Sequence, residues 1–219
     1  LLILGIDTSE KNINIALLKD NNLVFNIEKK TDRTEDLIDL LATTFKDLDL
    51  NKKDISAIGV VTGPGGYTGT RSGVSVAKTI GQVLNIPVIG FNKLEAILLS
   101  YKNNNQNIIP LIDIKRSEAY SCIASINNEN IIYKQEPNII KITDLIDNLK
   151  SNSDRLNLLA YDFREKKELF ENLPENINVD FEFRLQPSDI AKLTKSKVES
   201  NIDITYFNDI SPFYIREAI

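Results

Sequence analysis

The sequence predicts a two-lobed α/β protein, and three observations carry that prediction. At 219 residues the chain is longer than one simple core needs, since domains commonly run to about 100–150 residues. Residues 55–61 read as an apolar strand, 63–73 (GPGGYTGTRSG) as a glycine-rich turn opening a helix, and 87–91 as a second strand, which together make a β-α-β unit. The tract 102–107, nearly all Asn, Lys and Gln, reads as an exposed connection between lobes. The expected boundaries are 1–100 and 101–219, with a return of the last residues to the first lobe left open.

Taken in order, strands at 2–6, 13–19 and 23–29 form an antiparallel start, the last two joined at Asp20-Asn21-Asn22. A helix follows over 35–48 with Thr34 as N-cap, its apolar positions Leu37, Ile38, Leu40, Leu41, Phe45 and Leu48 making a wide stripe. In the turn after strand 55–61, Gly63, Gly65, Gly66 and Gly69 allow positive φ and expose backbone amides. Amides at a helix start carry partial positive charge, so the run is either an anion cradle or a tight packing turn. No Gly-Lys-Ser/Thr closes it, which excludes a Walker A loop, and its glycine spacing is not that of a dinucleotide fingerprint. In the helix over 70–84, Gly73, Ala77 and Gly81 stand four apart on one face, which suits close packing either on the protein's own sheet or on another subunit.

A helix starts at Leu94 and runs to Ser100. The second lobe offers strands at 108–114, 119–126 and 131–136, the last two separated by Asn127-Asn128-Glu129-Asn130. A helix at 143–149, a strand at 156–161, a helix at 163–173, a strand at 178–185 and a helix at 188–197 complete the chain.

Composition removes several chemistries. There is no histidine, so imidazole serves neither as base nor as metal ligand, and only carboxylates and one cysteine remain as strong ligands. The single Cys122, in an apolar strand, reads as a small core residue. The net charge of −5 repels nucleic acid, and the local basic spots Lys192, Lys195 and Lys197, Lys29-Lys30 and Lys115-Arg116 read as solvated faces. No apolar run approaches the roughly 20 residues that cross a bilayer, and the apolar start LLILGI reads as a buried strand, not a signal peptide.

Ile6-Asp7-Thr8-Ser9 closes the first strand with an acid and two hydroxyls, as the actin, sugar-kinase and Hsp70 superfamily begins. With GPGGYTGTRSG and the closing Pro212-Phe213-Tyr214-Ile215-Arg216, it resembles the TsaB (YeaZ) family of tRNA threonylcarbamoyladenosine biosynthesis proteins over most of the chain. The usual family loop is close to GPGSFTGLRIG, from which this chain departs at Gly66, Tyr67, Thr70 and Ser72; residues 113–120, DIKRSEAY, look like its DARRGEVY strand-turn-strand.

The resemblance implies a two-lobed actin-like (ribonuclease H-like) ATPase-superfamily fold, with mixed sheets flanked by helices. It further implies a noncatalytic platform and dimerisation subunit of the complex that forms N6-threonylcarbamoyladenosine in tRNAs reading codons that begin with A. The implied partners are a TsaD-like catalytic subunit, a TsaE-like ATPase and a second copy of the chain, with tRNA met only indirectly, no membrane, and a cytoplasmic location. Association in the family runs through the helices matching 35–48 and 70–84, so Leu37, Leu41, Phe45, Gly73, Ala77 and Gly81 become the expected subunit interface.

The two helix-borne histidines by which TsaD holds a metal have no counterpart here, and Thr31-Asp32-Arg33-Thr34 also lacks the histidine common in TsaB relatives. No catalytic or metal-binding residue is therefore assigned, and whether the chain is an enzyme by itself stays open. No cofactor is required, while weak or shared ATP or ADP with Mg²⁺ remains an option. Its candidate nucleotide or anion residues are Asp7, Ser9, Gly63, Gly65, Gly66, Thr68, Gly69 and Arg71, with a local turn cap as the alternative role of Asp7. The glycine-rich adenosine turn of the superfamily kinases has no match, since Leu159-Ala160-Tyr161-Asp162-Phe163 holds no glycine. An ATP-dependent kinase, a TsaD-like metallopeptidase and a homodimeric binding module are the competing readings.

Overall fold

The computed structural model of the chain describes residues 1–31, 36–101, 106–127 and 130–215. The expected N-cap Thr34, most of the 102–107 tract, Asn128-Glu129 and Arg216 lie outside the described residues. The chain divides into two compact units, Leu1–Ala96 joined by the stretch from Gln186 onward, and Ile97–Leu185.

The first unit is built on a five-stranded sheet in the order β3-β2-β1-β4-β5. Its strands are β1 (Leu2–Asp7), β2 (Asn12–Lys19), β3 (Asn22–Lys30), β4 (Ile55–Gly63) and β5 (Val88–Asn92). β1 to β3 form an antiparallel meander, while β4 and β5 run parallel to β1. All six residues of β1 are buried, because both faces of the sheet are covered. On one face α1 (Asp36–Asp47) and α2 (Tyr67–Leu84) pack Leu37, Leu41, Phe45, Val74 and Ala77 against Leu4, Ile6, Ile58 and Val60. On the other, α5 (Pro187–Ser200) sets Ala191 against Ile3, Ala16, Leu18 and Ala57.

This placement of α5 corrects the expected division at residue 100: the last helix completes the first unit. The reason lies in two glycines. Gly5 and Gly59 are register partners across β1 and β4. A Cβ on Gly5 would come to 2.8 Å from the Ala191 nitrogen, and one on Gly59 would collide with Thr194 Oγ1. The pair is a flat patch that admits the backbone of α5 and nothing bulkier beneath it.

The second unit repeats the plan. Its strands β6 (Asn107–Asp113), β7 (Glu118–Asn127), β8 (Asn130–Lys141), β9 (Leu156–Leu159) and β10 (Ile177–Asp180) stand in the order β10-β9-β6-β7-β8. Again three strands form an antiparallel meander and two more run parallel to the first. The two sheets share one topology, a mixed-sheet plan used twice. α3 (Lys93–Ser100) follows β5, and α4 (Ile142–Lys150) packs Ile142, Leu145 and Leu149 on β6 and β9.

The helix expected over 163–173 is instead a tight 3₁₀ segment, Arg164–Phe170, kinked at Lys166. Three things hold it so: Phe163 and Phe170 pack edge-on, Phe170 meets Phe181 the same way, and Lys166 Nζ reaches Asp113 Oδ2 at 2.9 Å. The strand expected over 178–185 ends at Asp180, whose carboxylate accepts from the amides of Glu182 and Phe183 and turns the chain.

Candidate functional site

The glycine run lies between the end of β4 and the start of α2, and each glycine answers to a neighbour. A Cβ on Gly65 would collide with the Ser9 carbonyl, one on Gly69 with the Thr8 carbonyl, one on Gly73 with Thr8 Oγ1, and one on Gly63 would stand 2.6 Å from the Phe213 carbonyl. Gly63 also has φ of +117°, a conformation that L side chains rarely adopt. Gly66 N–H donates to the Ser9 carbonyl at 2.7 Å, and Thr8 Oγ1 donates to the Gly69 carbonyl at 2.7 Å. Backbone of Thr8, Ser9 and Phe213 thus packs closely on Gly69, Gly65 and Gly63, while Gly65 and Gly66 themselves stay exposed.

The eight candidate anion residues fall into two groups. Asp7, Ser9, Gly63, Gly65, Gly66 and Gly69 are brought together by the β1–α2 contact, with Thr68 exposed in the first turn of α2. Arg71 turns away from them. Its guanidinium lies 3.9 Å from the centroid of the Tyr67 ring, and its Nε donates to the Tyr214 hydroxyl at 2.6 Å. The Tyr67 and Tyr214 rings are 5.3 Å apart, so Arg71 clasps the closing segment onto α2.

That segment is a strap. Val88 N–H donates to the Thr205 carbonyl and Thr205 Oγ1 returns a bond to the Val88 carbonyl, giving the outer edge of β5 a partner. Lys78 Nζ then holds the Ile210 carbonyl, Ile210 packs over Gly90, and Phe213 N–H donates to the Thr62 carbonyl at 2.7 Å.

Asp7 is 2% exposed at the end of β1. Its Oδ1 accepts from Ser9 N–H at 2.8 Å. Burial pushes its carboxyl pKa up; the Lys93 ammonium opposes that, the Glu10 carboxylate adds to it, and the bond from Ser9 opposes it. Lys93, the first residue of α3, is 1% exposed and donates to Glu10 Oε1 at 2.5 Å. Asn14 faces Asp7 in register across β1 and β2. Ser9 Oγ, Asn14 Oδ1 and Thr70 Oγ1 are buried with no hydrogen-bond partner. Sequence reasoning missed Glu10 and Lys93. The available signal was a lysine between an apolar strand and an apolar helix turn, which only an acid elsewhere in the chain makes tolerable.

The six expected interface residues do not lie on an exposed face. Leu37, Leu41, Phe45, Gly73, Ala77 and Gly81 are all buried inside the first unit, and a Cβ on Gly81 would collide with Val88 of β5. The small-residue stripe therefore fits α2 to its own sheet. The outward side of the same helices carries Ile38, 61% exposed, and Val83, 76% exposed. With Ala42, Val76, Thr79 and Ile80 they border an apolar groove of about 550 Å³ in which Leu41 and Phe45 line the inner wall. Lone exposed hydrophobes are ordinary; here they adjoin a continuous apolar groove between two helices.

Among the described residues no cluster of three or more Cys, Asp or Glu is arranged to hold a metal ion. No helix is long and apolar enough to cross a membrane. Burial pushes the Cys122 thiol up to about 12, consistent with a core residue.

A family model described as "TsaD: tRNA N6-adenosine threonylcarbamoyltransferase" matches residues 29–205. The chain is 27% identical over 224 aligned positions to the tRNA threonylcarbamoyladenosine biosynthesis protein TsaB of Bacillus subtilis, covering 99% of this chain and 94% of that protein. It is 22% identical to the TsaB of Buchnera aphidicola, covering 85% and 96%. Among solved structures, YeaZ from Pseudomonas aeruginosa superposes with a TM-score of 0.76 at 16% identity over 97% of this chain and 99% of that one, a likeness of fold.

Proposed function

Since the chain belongs to the TsaB/YeaZ family of TsaD-related proteins, we propose that it is the noncatalytic platform subunit of the assembly that places threonylcarbamoyl on an adenosine of tRNAs reading codons that begin with A. The observation that carries the reading is the exposed apolar groove between α1 and α2, on a chain that has no histidine with which to hold a catalytic metal. The groove takes the helices of a TsaD-like catalytic subunit or, in its absence, those of a second copy. A TsaE-like ATPase is a further partner in this reading, and the assembly works in the cytoplasm.

The catalytic partner holds the tRNA. The net charge of −5 works against direct contact, and the basic spots are locally answered: Lys192 sits against Asp189, Lys195 against Glu199, and Lys197 against Glu95 and Asp203. The chain needs no cofactor of its own. The ammonium of Lys93 beside Asp7 and Glu10 does not fit a neighbouring Mg²⁺.

Reconstitution tests this. The expected result is that a TsaD-like enzyme with its ATPase modifies tRNA only when this chain is added, and that the chain alone is inert and binds tRNA weakly at physiological salt. Full modification without the chain, or transferase activity of the chain alone, overturns the reading.

A further inference from the structure

Lys93 is unlike the other lysines of the first unit. Its side chain is 2% exposed, yet it carries an ammonium into the carboxyl-terminal end of the sheet, where β1 finishes at Asp7 and β5 at Asn92. Asn92 Oδ1 accepts from Leu94 N–H at 2.9 Å and so starts α3, leaving Lys93 as its first residue with the side chain turned inward. There it donates to Glu10 Oε1 and lies close enough to Asp7 to lower its proton affinity, while Glu10 raises it. Among the described residues the charged groups that act on Asp7 are these two, one from α3 and one from the β1–β2 turn. Beside Asp7 are Ser9, which bonds it, and Asn14, its register partner on β2, and among the described residues Ser9 Oγ and Asn14 Oδ1 are buried without a hydrogen-bond partner.

Two carboxylates with a buried hydroxyl and a buried amide oxygen form an all-oxygen set of the kind that hard divalent cations prefer. Buried carboxylates need an answering positive charge. In this chain the charge comes from its own side chain. We propose that the Lys93 ammonium is a resident internal cation: it stands among Asp7, Glu10, Ser9 and Asn14 in the place of a metal ion, and it closes the site to one.

Two consequences separate this from simple packing. First, Lys93 and Glu10 act as a charge pair, so each is harmful to lose alone and less harmful to lose together. Second, removing the ammonium while keeping the carboxylates opens a place for an added cation. The full chain is therefore compared with Lys93→Met, Glu10→Gln, the double variant, and Lys93→Ala, by thermal melting and by Mn²⁺ relaxation of water protons.

The wild-type chain is expected to show no melting shift with Mn²⁺ or ethylammonium. Lys93→Met melts lower, and adding Glu10→Gln recovers part of the loss. Lys93→Ala gains a rise in melting temperature with both Mn²⁺ and ethylammonium over an equal ionic strength of KCl, and it binds Mn²⁺ where the wild type does not. If Lys93→Ala folds only when either cation is supplied, the proposal stands equally. Stoichiometric Mn²⁺ binding by the wild-type chain overturns it. So does strict additivity of Lys93→Met and Glu10→Gln, or indifference of Lys93→Ala to both cations.

Discussion

Thr8 reaches α2 because Gly69 has no Cβ to stop it. Replacing Gly69 by Ala forces the helix off β1, and a loss of about 1–3 kcal/mol in chemical denaturation is the expected result. Gly66→Ala, whose added Cβ would stand 3.6 Å from the Ser9 carbonyl, is the control that leaves stability nearly unchanged. Asp7 gives a pH test. Its folded pKa is raised above the ordinary 3.8, chiefly by burial, so the stability it contributes is complete below that value and is lost as pH rises through the folded one. Asp7→Asn keeps an oxygen for Ser9 N–H and removes the burden of ionisation. The variant should gain on the wild type in melting temperature from pH 4 to pH 7; a constant difference across that range counts against the raised value.

At residue scale the sequence showed where glycines and acids stand, but not what meets them. The turn glycines were legible from their spacing, and Asp7 and Ser9 from the resemblance of residues 6–9 to the first strand of the superfamily. Glu10 and Lys93 were not, because they are 83 residues apart and only the parallel arrangement of β1, β4 and β5 brings them together.

The helices carry the association test. On α2, Ala77 faces the sheet and Val83 faces out. Ala77→Leu overpacks the protein's own core and is expected to lower stability by about 1–3 kcal/mol without changing a partner's affinity in proportion. Val83→Asp, or Ile38→Asp on α1, leaves the melting temperature nearly unchanged and abolishes association in light scattering and in pull-down of the catalytic partner. Retention of association in both outward variants would move the contact elsewhere.

Periodicity found α1, α2, α4 and α5 with modest end errors, because each has an apolar stripe at helical spacing. It did not separate Leu37 from Ile38, since a wide stripe on an amphipathic helix includes both the face in the core and the rim of a groove. It also read residues 163–173 as a helix, where contacts with Phe181 and Asp113 outweighed local preference.

Across the whole molecule the sheet plan was legible as two successive α/β patterns, and the shared strand order confirms a repeated architecture without a repeated sequence. The owner of α5 was not legible. Nothing local distinguishes a helix that ends the second unit from one that completes the first; the distinction rests on Gly5 and Gly59, which lie 186 and 135 residues before the Ala191 and Thr194 they meet. The strap gives a test at this scale. Ile210 is 5% exposed over Gly90, and Ile210→Ala should remove about 2–5 kcal/mol. A loss far below that range in denaturant unfolding would show the strap to be dispensable.

The discontinuity of the first unit also sets an order of events on the ribosome. Its sheet is made from residues that emerge well before the helix that covers one face and the strap that closes its edge. The unit Ile97–Leu185 is contiguous and has all of its own strands long before then. Domains usually mature in the order in which they are synthesised; here the segment made second is the first that is able to finish. Until α5 arrives, the apolar face of β1 and β4 around Gly5 and Gly59 has no cover, and the nascent chain carries an open sheet through much of its synthesis. A stalled chain ending before Gln186 should thus show protease resistance confined to Ile97–Leu185, and synthesis through α5 and the strap should extend that resistance to Leu1–Ala96.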